Sequence, residues 1–198
     1  MSLKERLYRF RSFWIFPTIA FVLLRLSIGA EPGRRPGELL WLLPVGVLLW
    51  TLLEYALHRF IFHIQVPLRD PRLREIVNAS HLAHHASPRD QGKVLVRPGY
   101  GLVVSAILYG LLYLLTRSVF LTSGLVVGVW AGFLYYEAVH YRVHFTLSES
   151  GFIARQRRAH FYHHFTNNKR CFGVTSPLWD YVFGTTLPRQ LVGRPGSM

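Results

Sequence analysis

The chain contains a single cysteine, Cys171, in 198 residues. No internal disulfide can form, and a metal site built on several thiolates is excluded. Acids are scarce as well: ten Asp and Glu stand against 23 Lys and Arg, a formal charge of +13. No trail of acids runs through the apolar segments, which argues against a conduit for cations. Low-complexity tracts are missing, and no small-residue cleavage site follows an apolar run, so a removed signal peptide is not expected. Histidine is absent from all but four short boxes, and that confinement says most about the chain.

What is present in quantity is apolar surface. Hydrophobic residues make up 51% of the sequence, so they must be segregated from the charge. Four stretches approach the roughly 20 apolar residues that cross a bilayer core. They run over about 13–30, 39–57, 101–115 and 121–139, the third being short with an earlier start at Pro98. Arg25 lies near one end of the first, where a long side chain can snorkel to the interface. Gly33, Pro36 and Gly37 mark a tight turn after it. The expectation is an all-α integral membrane protein of one domain, with residues 58–97 and 140–198 forming a helical cap and Val192–Met198 frayed.

Nineteen of the 23 Lys and Arg fall in the N-terminal arm, in 58–97 and in the tail after the fourth span. Four spans put those segments on one side, which the positive-inside rule makes cytoplasmic. Both termini and the cap are therefore expected inside, with Arg34, Arg35 and Arg117 outside. Topology and anionic headgroups account for the basic surplus, so no nucleic-acid partner is expected. Cys171 falls on the reducing side and reads as a bystander.

All ten histidines lie in the boxes His58-x4-His63, His81-x2-His84-His85, His140-x3-His144 and His160-x2-His163-His164. Neutral imidazole suits zinc, copper, iron and nickel. Ten ligands are too many for one ion, since a closed zinc site rarely exceeds four. Two ions in a histidine cage is the economical reading, and all-nitrogen ligation beside a membrane points to oxygen activation by iron. Residues three or four apart share a helix face, so each H-x-x-H-H box is expected to project its three rings together. His58 and His63 would diverge by about 140° on an ideal helix, so a helix end, a π-bulge or separate roles are expected there.

Ligating imidazoles commonly give their other N–H to an outer acceptor. Glu54, one turn before His58, and Glu137, three residues before His140, are candidates, because an acid at the end of an apolar span is costly without a partner. Asp180 is a further candidate. Phe60, Phe62, Tyr135, Tyr136, Phe161 and Tyr162 are candidate walls for an apolar substrate.

The runs LEYALHRFIFH (53–63), HLAHH (81–85), HYRVH (140–144), HFYHHF (160–165) and FGVTSPLWDYVFGT (172–185) resemble the fatty acid hydroxylase superfamily, nearest to its fatty acid 2-hydroxylases of sphingolipid metabolism. The likeness spans roughly residues 50–185. It implies four membrane helices under a cytoplasmic dimetal cap, ligation by all ten histidines, and a shared cap element containing Trp179, Asp180 and Tyr181. It also implies hydroxylation of the carbon next to the carbonyl of a long acyl chain, with two irons, dioxygen and external electrons. Zinc can replace iron in a purified sample. Eukaryotic members often carry a fused haem domain; about twelve residues precede the first span here, with no histidine among them. A separate electron-transfer protein, cytochrome b5-like or ferredoxin-like, with its reductase is thus the expected donor, and a membrane lipid the expected substrate. A carotenoid hydroxylase is the main alternative, although the third box there spaces its histidines five apart. A sterol desaturase or oxidase is a further enzyme reading, and a metal transporter the reading from another class.

Overall fold

In a computed structural model, residues 3–63, 69–71, 81–147 and 150–191 are described, and every regular element among them is helical. Arg72, Arg74, Arg194 and the tail 192–198 lie outside the described residues, as do the side chains of Lys4 and Arg6. The helices are α1 (Leu3–Arg9), α2 (Ser12–Ala30), α3 (Leu39–Leu57), α4 (His81–Ala86), α5 (Gln91–Val94), α6 (Pro98–Thr116), α7 (Val119–Phe145), α8 (Gly151–Phe165) and α9 (Leu178–Val182). α2, α3, α6 and α7 belong to the four segments long and apolar enough to cross a membrane. The third starts at Pro98, because proline at the first helical position gives up no hydrogen bond. The fourth continues past 139 to Phe145, so the third histidine box is carried on the same helix.

The chain divides into two compact units, Met1–Trp50 with Val96–Tyr135, and Thr51–Leu95 with Tyr136–Met198. In the first unit, α3 and α7 touch along small residues. A Cβ on Gly128 would stand 2.8 Å from the Gly46 Cα, and one on Gly132 2.6 Å from the Trp50 Cβ. Gly124, Gly128 and Gly132 recur every four residues, the small-residue spacing that lets membrane helices approach closely. Edge-to-face rings fill the space beside them: Phe16 meets Trp130 at 5.4 Å and Phe133 at 5.1 Å, and Trp50 meets Phe133 at 5.4 Å. Glu31 caps α7, accepting from the Ser118 hydroxyl at 2.7 Å and the Phe120 N–H at 3.2 Å. Phe21, Leu26, Leu40, Trp41, Ile107 and Leu115 stay largely exposed. Apolar surface on that scale fits acyl chains rather than water. This is a membrane protein.

The second unit holds all ten histidines together with Glu54, Glu137 and Asp180. Its core is correspondingly polar: His58, His81, His84, His140, His160, His163 and the three acids are all buried.

Candidate metal centre

The first box sits where α3 changes its winding. Residues His58–Phe62 form a π-helical turn, and an i to i+5 repeat returns His63 to the face of His58. The two rings stack at 5.3 Å with 18° between their planes. The distortion expected from a five-residue spacing is therefore the device that pairs these rings.

The ten histidines converge in two groups of five. His58, His63, His81, His85 and His163 form one; His84, His140, His144, His160 and His164 form the other. Within each group, one candidate ligand atom per residue lies within 4.8 Å of all the rest. The H-x-x-H-H boxes were expected to project as triads, and here the structure differs. His81 and His85 join the first group and His84 the second, whereas His160 and His164 join the second and His163 the first. Adjacent helical residues diverge by about 100°, so the third and fourth positions after a histidine cannot aim at one point. Each box gives its i, i+4 pair to one group and its i+3 ring to the other. The groups abut through His85 and His164, which stack at 4.0 Å.

Nitrogen spacing tests the fit to a metal. Nε2 atoms face one another at 2.9 Å for His81 and His85, 3.0 Å for His63 and His163, 3.1 Å for His140 and His160, and 2.9 Å for His144 and His160. Two nitrogens about 2.1 Å from a shared ion lie about 3.0 Å apart at right angles and about 3.4 Å apart at a tetrahedral angle. The observed spacings are therefore those of nitrogens that could share one ion.

Tautomers point the same way. His58 Nδ1 lies 2.6 Å from the Phe172 carbonyl and His163 Nδ1 2.7 Å from the Arg170 carbonyl. A carbonyl only accepts, so both Nδ1 atoms carry the proton and both Nε2 atoms present a lone pair. His58 Nε2 is buried with no hydrogen-bond partner among the described residues. His163 Nε2 faces another imidazole nitrogen. Opposed lone pairs in a buried cage call for a cation, and these residues fit one.

Burial, then the neighbouring imidazoles, keep the rings neutral. Burial first, then His58, hold His81 well below the ordinary histidine range. Burial first, then a neighbouring imidazole, push His84 and His85 each down to about 3. Burial also takes His163 to about 4, against an opposing hydrogen bond to Arg170. His160 and His164 are depressed for the same leading reason, and His63 by burial alone. Neutral imidazole is the ligating form.

The two carbonyl acceptors flank Cys171, whose φ of 59° is left-handed. That turn opens a strap, residues 171–175, held by side chains on three elements. Glu54 accepts from the Val174 N–H at 2.5 Å, the Thr175 N–H at 2.9 Å and the Thr175 hydroxyl. Asp180 accepts from the Phe172 N–H at 3.0 Å, the Gly173 N–H at 2.8 Å and the Thr185 hydroxyl at 2.7 Å. Gln156 donates to the Val174 carbonyl at 2.5 Å. Glu54 and Asp180 thus grip the backbone that grips His58 and His163, one step further out than an acceptor for an imidazole N–H. Burial raises the Asp180 carboxyl and pushes the Cys171 thiol up to about 12, so that thiol stays protonated. Gly173 has no room for a side chain, since a Cβ would meet the Ser176 carbonyl and stand 3.0 Å from Asp180. Glu137 is fully buried in α7.

Of the aromatic candidates, Phe62 stacks on His81 at 5.2 Å, Tyr136 on His140 at 5.2 Å, and Phe161 lies 5.6 Å from His144. Tyr162 is buried, while Phe60 and Tyr135 are 56% and 53% exposed. Sequence reasoning missed Gln156, Thr175, Thr185 and the carbonyls of Arg170 and Phe172. A backbone acceptor leaves no residue-type signal. The run FGVTSPLWDYVFGT carried a trace of Phe172, Thr175 and Thr185, and none of Gln156 or Arg170.

A helical membrane protein whose ten histidines close into two metal-sized groups is the class defined by fold and site together. The chain belongs to the fatty acid hydroxylase family, whose profile matches residues 43–185. It is 33% identical over 174 residues to a dihydroceramide fatty acyl 2-hydroxylase of Arabidopsis thaliana, covering 87% of this chain and 72% of that protein. It is 33% identical over 147 residues to the fatty acid 2-hydroxylase of Rattus norvegicus, covering 74% of this chain but 39% of the rat protein. A solved structure of full-length Scs7p, with only its hydroxylase domain visible, superposes with a TM-score of 0.75 at 29% identity, over 93% of this chain and 69% of that one.

Proposed function

We propose that this chain is a membrane di-iron monooxygenase that hydroxylates a long acyl chain at carbon 2, in a free fatty acid or in the N-acyl group of a sphingolipid. The observation that carries the reading is the pair of five-histidine groups, joined to relatives named as fatty acid and dihydroceramide fatty acyl 2-hydroxylases. A C–H bond beside the carbonyl becomes C–OH; dioxygen gives one oxygen atom to the product and one to water, consuming two electrons and two protons. The metal pair supplies the oxygen-activating chemistry. His58, His63, His81, His85 and His163 would hold one ion, and His84, His140, His144, His160 and His164 the other. Zinc can occupy the same nitrogens, because affinity alone does not select iron.

The protein's own part is positioning. The carbonyls of Phe172 and Arg170 orient His58 and His163. Phe62, Tyr136 and Phe161, beside the histidine rings, are candidate walls for the chain end, and Phe60, Tyr135 and Tyr162 are the remaining aromatic candidates. His58 follows directly after the apolar run of α3, and His140 belongs to the last turns of α7. The ions therefore belong near headgroup depth, where a lipid anchored by its polar head presents its first carbons. Both termini and the metal centre face the cytoplasm in this reading, which the distribution of Lys and Arg supports. Electrons come from a separate carrier protein and its reductase.

Supplying a long-chain fatty acid, a ceramide and a reductase system, then mapping the new hydroxyl by fragmentation, tests the proposal. A hydroxyl on carbon 2 is expected. A hydroxyl on a carotenoid ring, or a new double bond with none, would transfer the chain to another histidine-box chemistry. Metal uptake into vesicles without oxygen consumption would favour transport.

A further inference from the structure

The short helix α9 and the residue after it carry an exposed apolar face: Leu178 is 43% exposed, Tyr181 71%, Val182 60% and Phe183 51%. The same five-residue helix turns Asp180 inward, 2% exposed, onto the strap. Water on the outer face would leave four large apolar side chains uncovered together.

Contacts along α3 give this element a depth. Phe172 is tied to His58 at the end of the span. Val174 and Thr175 are tied to Glu54, one turn further in. The Trp179 indole N–H donates to the Thr51 hydroxyl at 3.0 Å, deeper again. The path then returns: Phe183 stacks on Tyr55 at 5.2 Å, and the Thr185 hydroxyl lies 3.0 Å from the Tyr55 hydroxyl. Thr51 precedes Leu57, the end of α3, by six residues, about 9 Å of helix. Residues 172–185 descend beside the span and come back.

We propose that residues 171–185 form a re-entrant loop, which dips into one leaflet beside the last two turns of α3 and lays Leu178, Tyr181, Val182 and Phe183 against lipid acyl chains. Non-helical backbone survives at that depth only where protein satisfies its polar groups, and the strap meets that demand. Glu54 takes two of its N–H groups, Asp180 two more, and Gln156 supplies a donor to the Val174 carbonyl. Glu54, a buried acid at an apolar span end, thereby acquires a physical reason. Arg170, which donates to the Thr186 carbonyl at 3.1 Å, and Arg59, which donates to the Tyr55 hydroxyl at 2.7 Å, stand at the mouth of the loop, at the level of anionic headgroups. The inference rests on α3 spanning the bilayer and not on which lipid is hydroxylated.

Nitroxide labels on Tyr181→Cys and Val182→Cys in the metal-loaded protein in phospholipid nanodiscs test it by power saturation. Leu48→Cys on the exposed side of α3 serves as the lipid reference and Asn168→Cys as the aqueous one. The unsubstituted chain gives the background from buried Cys171. Labels at 181 and 182 are expected to be relaxed more by dioxygen than by a water-soluble nickel complex, as at 48. Preferential relaxation by nickel at 181 and 182, with lipid values kept at 48, would overturn the loop alone. Nickel-dominated relaxation at 48 as well would overturn the membrane placement with it.

Discussion

Replacing Glu54 by alanine removes the acceptor for two backbone N–H groups and one hydroxyl, all in the buried strap. Each donor left unsatisfied in the interior costs about 1–3 kcal/mol, so the three together approach about 3–9 kcal/mol before relaxation. The total stability of a domain is about 5–15 kcal/mol, so the strap cannot keep its conformation. The Phe172 carbonyl then loses its hold on His58 Nδ1, and loss of such an outer partner weakens metal binding by about 10–100-fold. His58 and His163, the two rings held by carbonyls of this turn, belong to one five-histidine group. The loss should therefore be selective, with Glu54→Ala retaining close to one metal ion per chain after dialysis against a weak chelator. Glu54→Gln should retain much more, because its amide oxygen keeps both N–H contacts and the Thr175 hydroxyl can turn to accept from its NH2. Metal analysis by mass spectrometry reads the difference. Equal retention by Glu54→Ala and the unsubstituted protein would refute the reasoning, and so would equal depletion of both ions.

The pH dependence of metal-free protein has a defined sign. His84 and His85 near 3 and His163 near 4 lie below the ordinary value of 6.5, so the unfolded chain binds more protons; stability is full above pH 6.5 and falls toward pH 3–4. Thermal unfolding of chelator-treated protein should show Tm dropping from pH 7 to pH 5, with the loaded protein changing less; a flat profile would contradict this. Gly128→Val should lower Tm through about 1–3 kcal/mol or more of overpacking, because its Cβ would stand 2.8 Å from the Gly46 Cα; an unchanged Tm would deny the close approach of α3 and α7. Cysteines placed at Arg34 and at Arg89 should label from opposite membrane faces, and labelling from one face would sink the four-span topology.

Much of this was legible because it follows from periodicity. The four spans needed only apolar length, and the spacing of His58 and His63 signalled a departure from α-helical pairing, of which the π-turn was one of three readings. The sorting of ligands was less legible. His84 and His85 are neighbours in sequence, and only three-dimensional placement shows that the i+3 ring of each H-x-x-H-H box serves the opposite group. Glu54 was visible as an acid in an expensive place, yet its partners, Val174 and Thr175, lie 120 and 121 residues away. The carbonyls that orient His58 and His163 belong to every residue type alike, so nothing in the sequence could single out Phe172 or Arg170.

The most direct test of the central claim is the metal content and ligation of the purified membrane protein, by elemental analysis and X-ray absorption on one sample. Two ions per chain are expected, each surrounded by nitrogen and oxygen at about 2.0–2.2 Å with no sulfur. One ion per chain, or a sulfur ligand from Cys171, would contradict the division of the ten histidines into two metal-binding groups.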